Sequence, residues 1–334
     1  MSANRMLNYG FENISDPTMD WAHEARLLSK AGINGVGLSV GRVEWSAFAQ
    51  QSLPGRHPAV VSENDYDLVR HAIAELKSAG FAGEVVLSID ALVPSLLTKQ
   101  PELAGVDATG EASDSFASAW ALTRGPVGES LVRFATEVAV RYKPAFIGLT
   151  ELMIAEFSFG EQDLTLYCQA MGTTDWPRLG NGSIDTTDPT LGMWRSLEMA
   201  SLVARVRRAV SRHGVLLEMD VRAPLPGELR GRPDSGHDYG MLLEAADRLA
   251  IWHYVGIDEH SRGAGQQHLL SLIRHNAQRM VLSVGLWANE GTLSAGELIT
   301  ELALGADLAQ LSVTPASLMS SAHWKALQRH RRTD

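Results

Sequence analysis

Cysteine is almost absent: Cys168 is the only one in 334 residues. No intramolecular disulfide can form, and no cysteine-built zinc site can be assembled. Long apolar runs are lacking too. Met1 to Met6 carries no apolar signal stretch and no later segment is long and apolar enough to cross a bilayer, so no membrane span is expected. The expected location is cytoplasmic as the sequence stands; an exported protein shorn of its signal segment would read the same way. Positive charge is scarce, with 29 Lys and Arg against 39 Asp and Glu and a formal net charge of -10. That leaves no basic footprint for nucleic acid. The tail Arg329-His330-Arg331-Arg332 suits a helix end, where cations meet the dipole. Phosphate-binding turns are missing as well: Gly10-Phe11-Glu12-Asn13 is not a glycine-rich turn, and no Walker-type loop occurs. No cofactor is expected.

What the chain has is alternation, in a composition (45% hydrophobic, 20% charged) that can bury a sizeable core. Strand-like runs at Met6–Phe11, Asn34–Val40, Glu84–Ile89, Ala145–Thr150, Val215–Met219, Leu249–Tyr254, Met280–Leu286 and Leu308–Val313 alternate with helical stretches. Ser15-Asp16-Pro17 reads as the cap of a first helix reaching Lys30, and the box Ser62-Glu63-Asn64-Asp65 as the start of a second. Gly125-Pro126 opens a helix to about Tyr142, Trp194–His213 is a long one, and others cover Gln266–Ala277, Ser294–Leu304 and the stretch from Ser317. Helix-to-strand turns are short, as at Ala31-Gly32, Ala79-Gly80 and His213-Gly214, whereas long segments follow the strands. This asymmetry predicts a single α/β domain over residues 1–334, a (β/α)8 TIM barrel with long βα loops and its chemistry at the carboxyl ends of the strands. A doubly wound open sheet competes but would carry a glycine-rich turn after its first strand.

The fourth run is the most informative. Lys143-Pro144 stops a helix, Phe146-Ile147-Gly148-Leu149-Thr150 follows, and the run ends on Glu151, where a side chain just past a barrel strand projects into the mouth. Glu151 is therefore a catalytic candidate. Other strand ends deliver Glu44 and Trp45, Asp90, Asp220 with Arg222, His253 with Asp258 and Glu259, and Trp287. Carboxylates and aromatics at one end suit cleavage of a glycosidic bond. That chemistry needs one carboxylic acid to protonate the leaving oxygen and one carboxylate as nucleophile or base. Indoles offer flat platforms to sugar rings, although any one aromatic serves packing equally well. The segment through Gly125, with Trp120, and the insertion between Leu152 and Leu191, with Phe157, Phe159, Tyr167 and Trp176-Pro177, read as active-site loops.

With the run ending at Glu151, the chain resembles barrel glycoside hydrolases of the clan that includes β-galactosidases and β-mannanases, at their acid/base position. The loop with Trp176-Pro177 and the helix from Trp194-Arg195 resemble bacterial hypothetical glycosyl hydrolases of exopolysaccharide systems. The resemblance implies a carbohydrate substrate, a poly- or oligosaccharide such as a bacterial exopolysaccharide, with Glu151 as general acid/base. It also implies a second carboxylate closing the seventh strand, yet that strand ends at Trp287 and Glu290 lies further into the loop. Some barrel hydrolases of amino-sugar polymers pair acids from neighbouring middle strands, which Glu151 with Asp220 would fit. The expectation is Glu151 as acid/base and Asp220 as nucleophile or base, with Glu44, Trp45, Asp90, Arg222, His253, Asp258, Glu259 and Trp287 around the sugar. Two alternatives stay open. One is a metal-dependent sugar isomerase or epimerase ligating a divalent cation through Glu151, Asp220, His253 and Asp258, against which the eighth run ends in Thr314-Pro315 with no ligand. The other is a non-catalytic carbohydrate-binding barrel that has lost one acid.

Overall fold

In the computed structural model, which describes residues 4–50, 56–64, 66–225, 227–228, 230–257 and 264–330, the apolar runs become eight parallel strands. They are β1 (Asn4–Tyr9), β2 (Gly35–Arg42), β3 (Glu84–Asp90), β4 (Phe146–Thr150), β5 (Leu216–Arg222), β6 (Arg248–His253), β7 (Met280–Gly285) and β8 (Gln310–Thr314). Each pairs with the next, and β8 pairs back onto β1 from Asn4↔Gln310 to Leu7↔Val313, so the sheet closes. Around it run α1 (Trp21–Ala31), α2 (Leu68–Ser78), α3 (Pro126–Tyr142), α4 (Pro189–Ser211), α5 (Tyr239–Ala245), α6 (Ala264–His275), α7 (Ala295–Leu304) and α8 (Ser321–His330).

Residue parity along the strands decides where the core sits. One parity, including Leu38, Ile89, Leu149, Met219, Ile251 and Val284, is fully buried and apolar and faces the helices. The other faces the barrel axis and mixes small and polar residues with a few large ones such as Phe146 and Trp252. A Cβ on Gly37 would come within 2.3 Å of Asn8 Oδ1, and one on Gly148 within 3.0 Å of Ser88 Oγ, so these glycines make room for polar neighbours inside. At the floor, the buried Arg248 guanidinium donates to Glu84 Oε1 and Gln310 Oε1, each at 2.8 Å, pairs with Glu218, and lies 3.7 Å over the Phe146 ring. Its charge is compensated on several sides, as a buried ion requires.

Several helix starts differ from the sequence reading. Asp20, not Ser15 or Asp16, caps α1 by accepting the His23 N–H at 2.7 Å, while Asp16 closes a local turn with Thr18. Likewise α2 is capped by Asp67, which accepts the Arg70 N–H at 2.8 Å; Ser62 lies in a separate helical turn, Ala59–Asn64. Asp67 also takes the Arg141 guanidinium and the Tyr142 hydroxyl of α3, partners that no local pattern displays. The long helix begins at Pro189 behind the cap Asp188 rather than at Trp194. Trp194 is fully buried, with Tyr167 and Trp176 against it at centroid distances of 5.7 Å each. Phe159, Tyr167 and Trp176 of the insertion therefore join the core beside a helix, Glu161–Met171, instead of lining the mouth, whereas Phe157 stacks on Phe116 outside that cluster.

Candidate active site

The rim is built first by a bulge in β2. Register with β3 slips between Ser39 and Gly41, after which Arg42 stands opposite Asp90. Gly41 has φ 149, and a Cβ there would meet the Trp45 carbonyl oxygen at 2.3 Å, so the bulge needs glycine. The re-aimed Arg42 guanidinium donates to Asp90 Oδ2 at 2.9 Å and lies 5.2 Å over the Phe11 ring. Burial pushes the Asp90 carboxyl up, and the Arg42 charge opposes that push. Glu44 is buried and accepts the Leu96 N–H at 2.7 Å, so its carboxylate is engaged in holding the turn Pro94–Lys99. Trp45, half-buried, packs edge-on against Phe11 at 5.4 Å.

Glu151 leaves β4 with φ 54. Among the described residues only it and Lys143, at the end of α3, are non-glycines in this region. Such backbone costs an L-residue about 1–2 kcal/mol, and strain of this kind collects at functional sites. The side chain is half-buried, and burial followed by the Asp90 charge pushes its carboxyl up to about 7 against the pull of Arg222 and Arg42. Asp220, on the inner face of β5, is also pushed up to about 7. Burial is the main cause, then the negative charge of Glu218 two residues earlier, with a smaller push from Glu151. Two carboxyl groups so placed hold protons into the neutral range, each chiefly because it is buried.

Beside them stands Tyr254, whose phenol is pushed well above its usual range by burial and then by the charges of Asp220 and Glu151. It stays protonated and can donate a hydrogen bond. Gly285 makes room for it, since a Cβ there would sit 2.4 Å from the Tyr254 ring. Trp252 stacks on Tyr254 at 5.6 Å and Trp287 tilts against it at 5.1 Å, forming an aromatic wall whose outer member, Trp287, is 37% exposed. The Trp252 indole reaches toward Asp220 without a well-aligned bond, leaving its buried N–H unpaired.

Arg222 ties the two acid-bearing strands together. Its backbone N–H donates to His237 Nδ1 at 3.1 Å, which leaves the ring proton on Nε2, donated to the Leu152 carbonyl at 2.9 Å. Burial lowers His237 to about 4, so the ring is neutral and clamps the chain directly after Glu151. The Arg222 guanidinium meanwhile donates to Ser235 Oγ at 2.8 Å.

The structure thus brings Asp90, Glu151, Asp220 and Arg222 within electrostatic reach of one another, with Trp287 on the wall of the same mouth. His253 is not brought there. It is buried on the helix-facing side of β6, bonded to Glu301 Oε2 of α7 at 2.9 Å and approached by Gln266 of α6 at 3.2 Å. The set of four metal ligands is therefore not gathered around Glu151. Asp258 and Glu259 lie outside the described residues. Sequence reasoning missed Arg42, Tyr254 and His237 as members of the site. For Tyr254 a signal existed, because it shares the parity of Trp252 at the end of a strand. A concavity of about 1100 Å³ lies at the opposite end of the barrel between Arg5, Lys30 and Gly80, away from these acids.

No protein-family model matches this chain, and no curated protein matches it. Solved structures do. The PgaB (BpsB) glycoside hydrolase domain from Bordetella bronchiseptica superposes with a TM-score of 0.73 at 13% identity, covering 98% of each chain. A β-galactosidase from the psychrophilic Marinomonas ef1 gives 0.70 at 13% identity over 99% of this chain and 59% of that one. A chitinase from Chromobacterium violaceum gives 0.54 at 13% identity over 99% of each. What the chain shares with these glycoside hydrolases, at such identities, is the (β/α)8 barrel fold.

Proposed function

We propose that this chain hydrolyses a glycosidic bond in a poly- or oligosaccharide, a bacterial exopolysaccharide being the class we put first. In this reading Glu151 is the general acid/base and Asp220 the nucleophile or base. The observation that carries it is Glu151 itself: a carboxyl at a barrel strand end, on strained backbone, pushed up to about 7 by burial and Asp90. A general acid must still hold its proton at the pH where it works, and an ordinary glutamic acid does not. Protonated Glu151 would hand its proton to the leaving oxygen while ionised Asp220, on the adjacent strand, meets the developing positive charge at the sugar carbon. With Asp220 as nucleophile its oxygen bonds to the sugar carbon as the glycosidic bond breaks; Glu151, now ionised, would then take a proton from the water whose oxygen displaces Asp220 from that carbon, restoring both groups. The Tyr254 phenol, hydrogen-bonded to Ser283, stays neutral under the charges of both carboxylates, and Trp287 offers a flat face to a sugar ring. Arg42 and Arg222 keep Glu151 from rising further, while Asp220 is held back by the side chains of Thr150 and Trp252.

The test is turnover by Glu151→Gln on a panel of polysaccharides and oligosaccharides, with thermal melting as the folding control. The amide keeps size and hydrogen-bonding reach but has no proton to give, so turnover should fall by about 10²–10⁴-fold with binding retained. Unchanged turnover on a substrate the wild type cleaves would remove Glu151 from the chemistry.

A further inference from the structure

Next to the acids is a cavity of about 290 Å³, lined by Phe116, Ala117, Met153, Ile154, Phe157 and Arg222 among others. We propose that it receives a single sugar unit at the end of a saccharide chain, that this unit carries a methyl group, and that the enzyme is consequently exo-acting. The proposal rests on the hydrolase reading for its catalytic part but not for its binding part. Position comes first: Arg222 lines the cavity and acts electrostatically on Glu151, and Met153 follows Glu151 by two residues, so the cavity opens onto the proposed acid. Size comes second. At the lower end of small-molecule sites, which begin at roughly 300 Å³, it has room for about one ring rather than a run of them.

The walls are held by main-chain bonds. The hairpin formed by Ala104–Val106 and Ala112–Ala117 supplies Phe116 and Ala117. It is fixed to its surroundings by Phe159 N–H to Val106 O at 2.8 Å and Val93 N–H to Ser115 O at 3.1 Å. A Cβ on Gly105 would come within 2.3 Å of the Phe157 carbonyl oxygen, which shows how closely the hairpin packs on the segment after Glu151. That segment is anchored in turn by Ile154 N–H to Ser235 O at 3.0 Å. Chemistry comes third. Glu156 and Arg222 supply the polar side of the cavity; on its apolar side two phenyl rings, parallel to within 10° with centroids 6.2 Å apart, a thioether and an isoleucine are a poor match for a fully hydroxylated sugar edge. They suit a methyl, of a deoxy sugar or of an acyl substituent, while Arg222 meets the hydroxyls.

The test uses Glu151→Gln, in which binding is read without turnover. Saturation-transfer NMR would titrate L-fucose, L-rhamnose and N-acetylglucosamine against L-galactose, L-mannose and N-formylglucosamine, which match them in configuration and lack the methyl, with Ala155→Trp and Ala117→Trp, both on the cavity wall, as filling variants and melting curves for each. Each methyl-bearing sugar that binds should do so about fourfold more tightly than its counterpart without the methyl, the worth of one buried methyl, and lose binding in both filled variants. Which of the deoxy and acylated sugars binds identifies the source of the methyl. If the tryptophan variants fold poorly, Phe157→Ala gives the reading by abolishing the methyl preference. No binding by any sugar, equal binding by all, or binding indifferent to filling would overturn the site. On end-labelled oligosaccharides the wild type should release single units from the outset, and an early mixture of lengths would overturn exo action. Binding as expected without hydrolysis of any substrate would leave the cavity assigned and reject the hydrolase.

Discussion

Replacing Glu151 by glycine should make the protein more stable while abolishing turnover. Two costs disappear with the side chain. The left-handed backbone at φ 54 costs an L-residue about 1–2 kcal/mol, from which the greater freedom of an unfolded glycine takes back about 0.5–1 kcal/mol. The second cost is the carboxylate, pushed from 4.5 up to about 7 by burial and Asp90. Each unit is worth about 1.4 kcal/mol, and because the group remains partly open to solvent we discount the total to about 1–2 kcal/mol. Between the two values the folded state holds its proton more tightly than the unfolded chain. Wild-type stability therefore falls as pH rises through that window and the cost is complete above it. The net gain on replacement is about 1–3 kcal/mol at about pH 8, and the strain part alone at about pH 5. With an unfolding entropy of about 0.7 kcal/mol/K for 334 residues, each kcal/mol moves Tm by about 1.4 °C. Calorimetry should then find Glu151→Gly about 2–4 °C above wild type at about pH 8, with a smaller gap at about pH 5. Glu151→Gln, which removes the charge and keeps the strain, should fall between them. A glycine variant less stable than wild type at the higher pH, or a gap that ignores pH, would refute the argument.

Three other outcomes follow from the same geometry. With Glu151 and Asp220 both raised to about 7, kcat/KM should form a narrow bell about neutrality, and a plateau persisting past about pH 9 would contradict an acid role. His253→Phe leaves Glu301 and Gln266 short of a buried partner, so stability should drop by about 1–3 kcal/mol with kcat/KM intact; lost turnover at unchanged Tm would return His253 to the site. Arg248→Met strands Glu84 and Glu218 at the barrel floor and should cost about 3–5 kcal/mol in urea titration, whereas a neutral result would mean the floor tolerates bare carboxylates.

The barrel is legible in the sequence because its cause is local: apolar runs of strand length, short glycine-closed turns before them and long segments after them. Glu151 and Asp220 are legible for the same reason, each being a carboxylate on or just past such a run. What escapes local reading depends on partners distant in the chain. Asp67 outcompetes Ser62 as a helix cap because α3 brings Arg141 and Tyr142 to it. Glu44, placed beside Trp45 by sequence, is drawn inward by the Leu96 N–H, across 52 residues. Trp176 reads as part of a long loop and Trp194 as the start of a helix in one dimension, and they form a buried cluster in three.

The failure at His253 has a sharper cause. Sequence reading takes a strand end as a single place, but neighbouring residues there belong to opposite sides of the sheet. In β6, Leu249, Ile251 and His253 face the helices, whereas Arg248, Ala250 and Trp252 share the inner parity that Tyr254 continues. Parity can be fixed from sequence once one inward residue is known, and the floor supplies it: an arginine at the start of a buried strand has to meet carboxylates, which are at hand only inside, from Glu84 and Glu218. Counting by twos from Arg248 reaches Trp252 and then Tyr254, and counting from Glu218 reaches Asp220 and Arg222. The same count excludes His253. Charges at the floor of this barrel thus carry the information about which side chains arrive at its mouth, and a reading that pairs them first would select Tyr254 in place of the histidine.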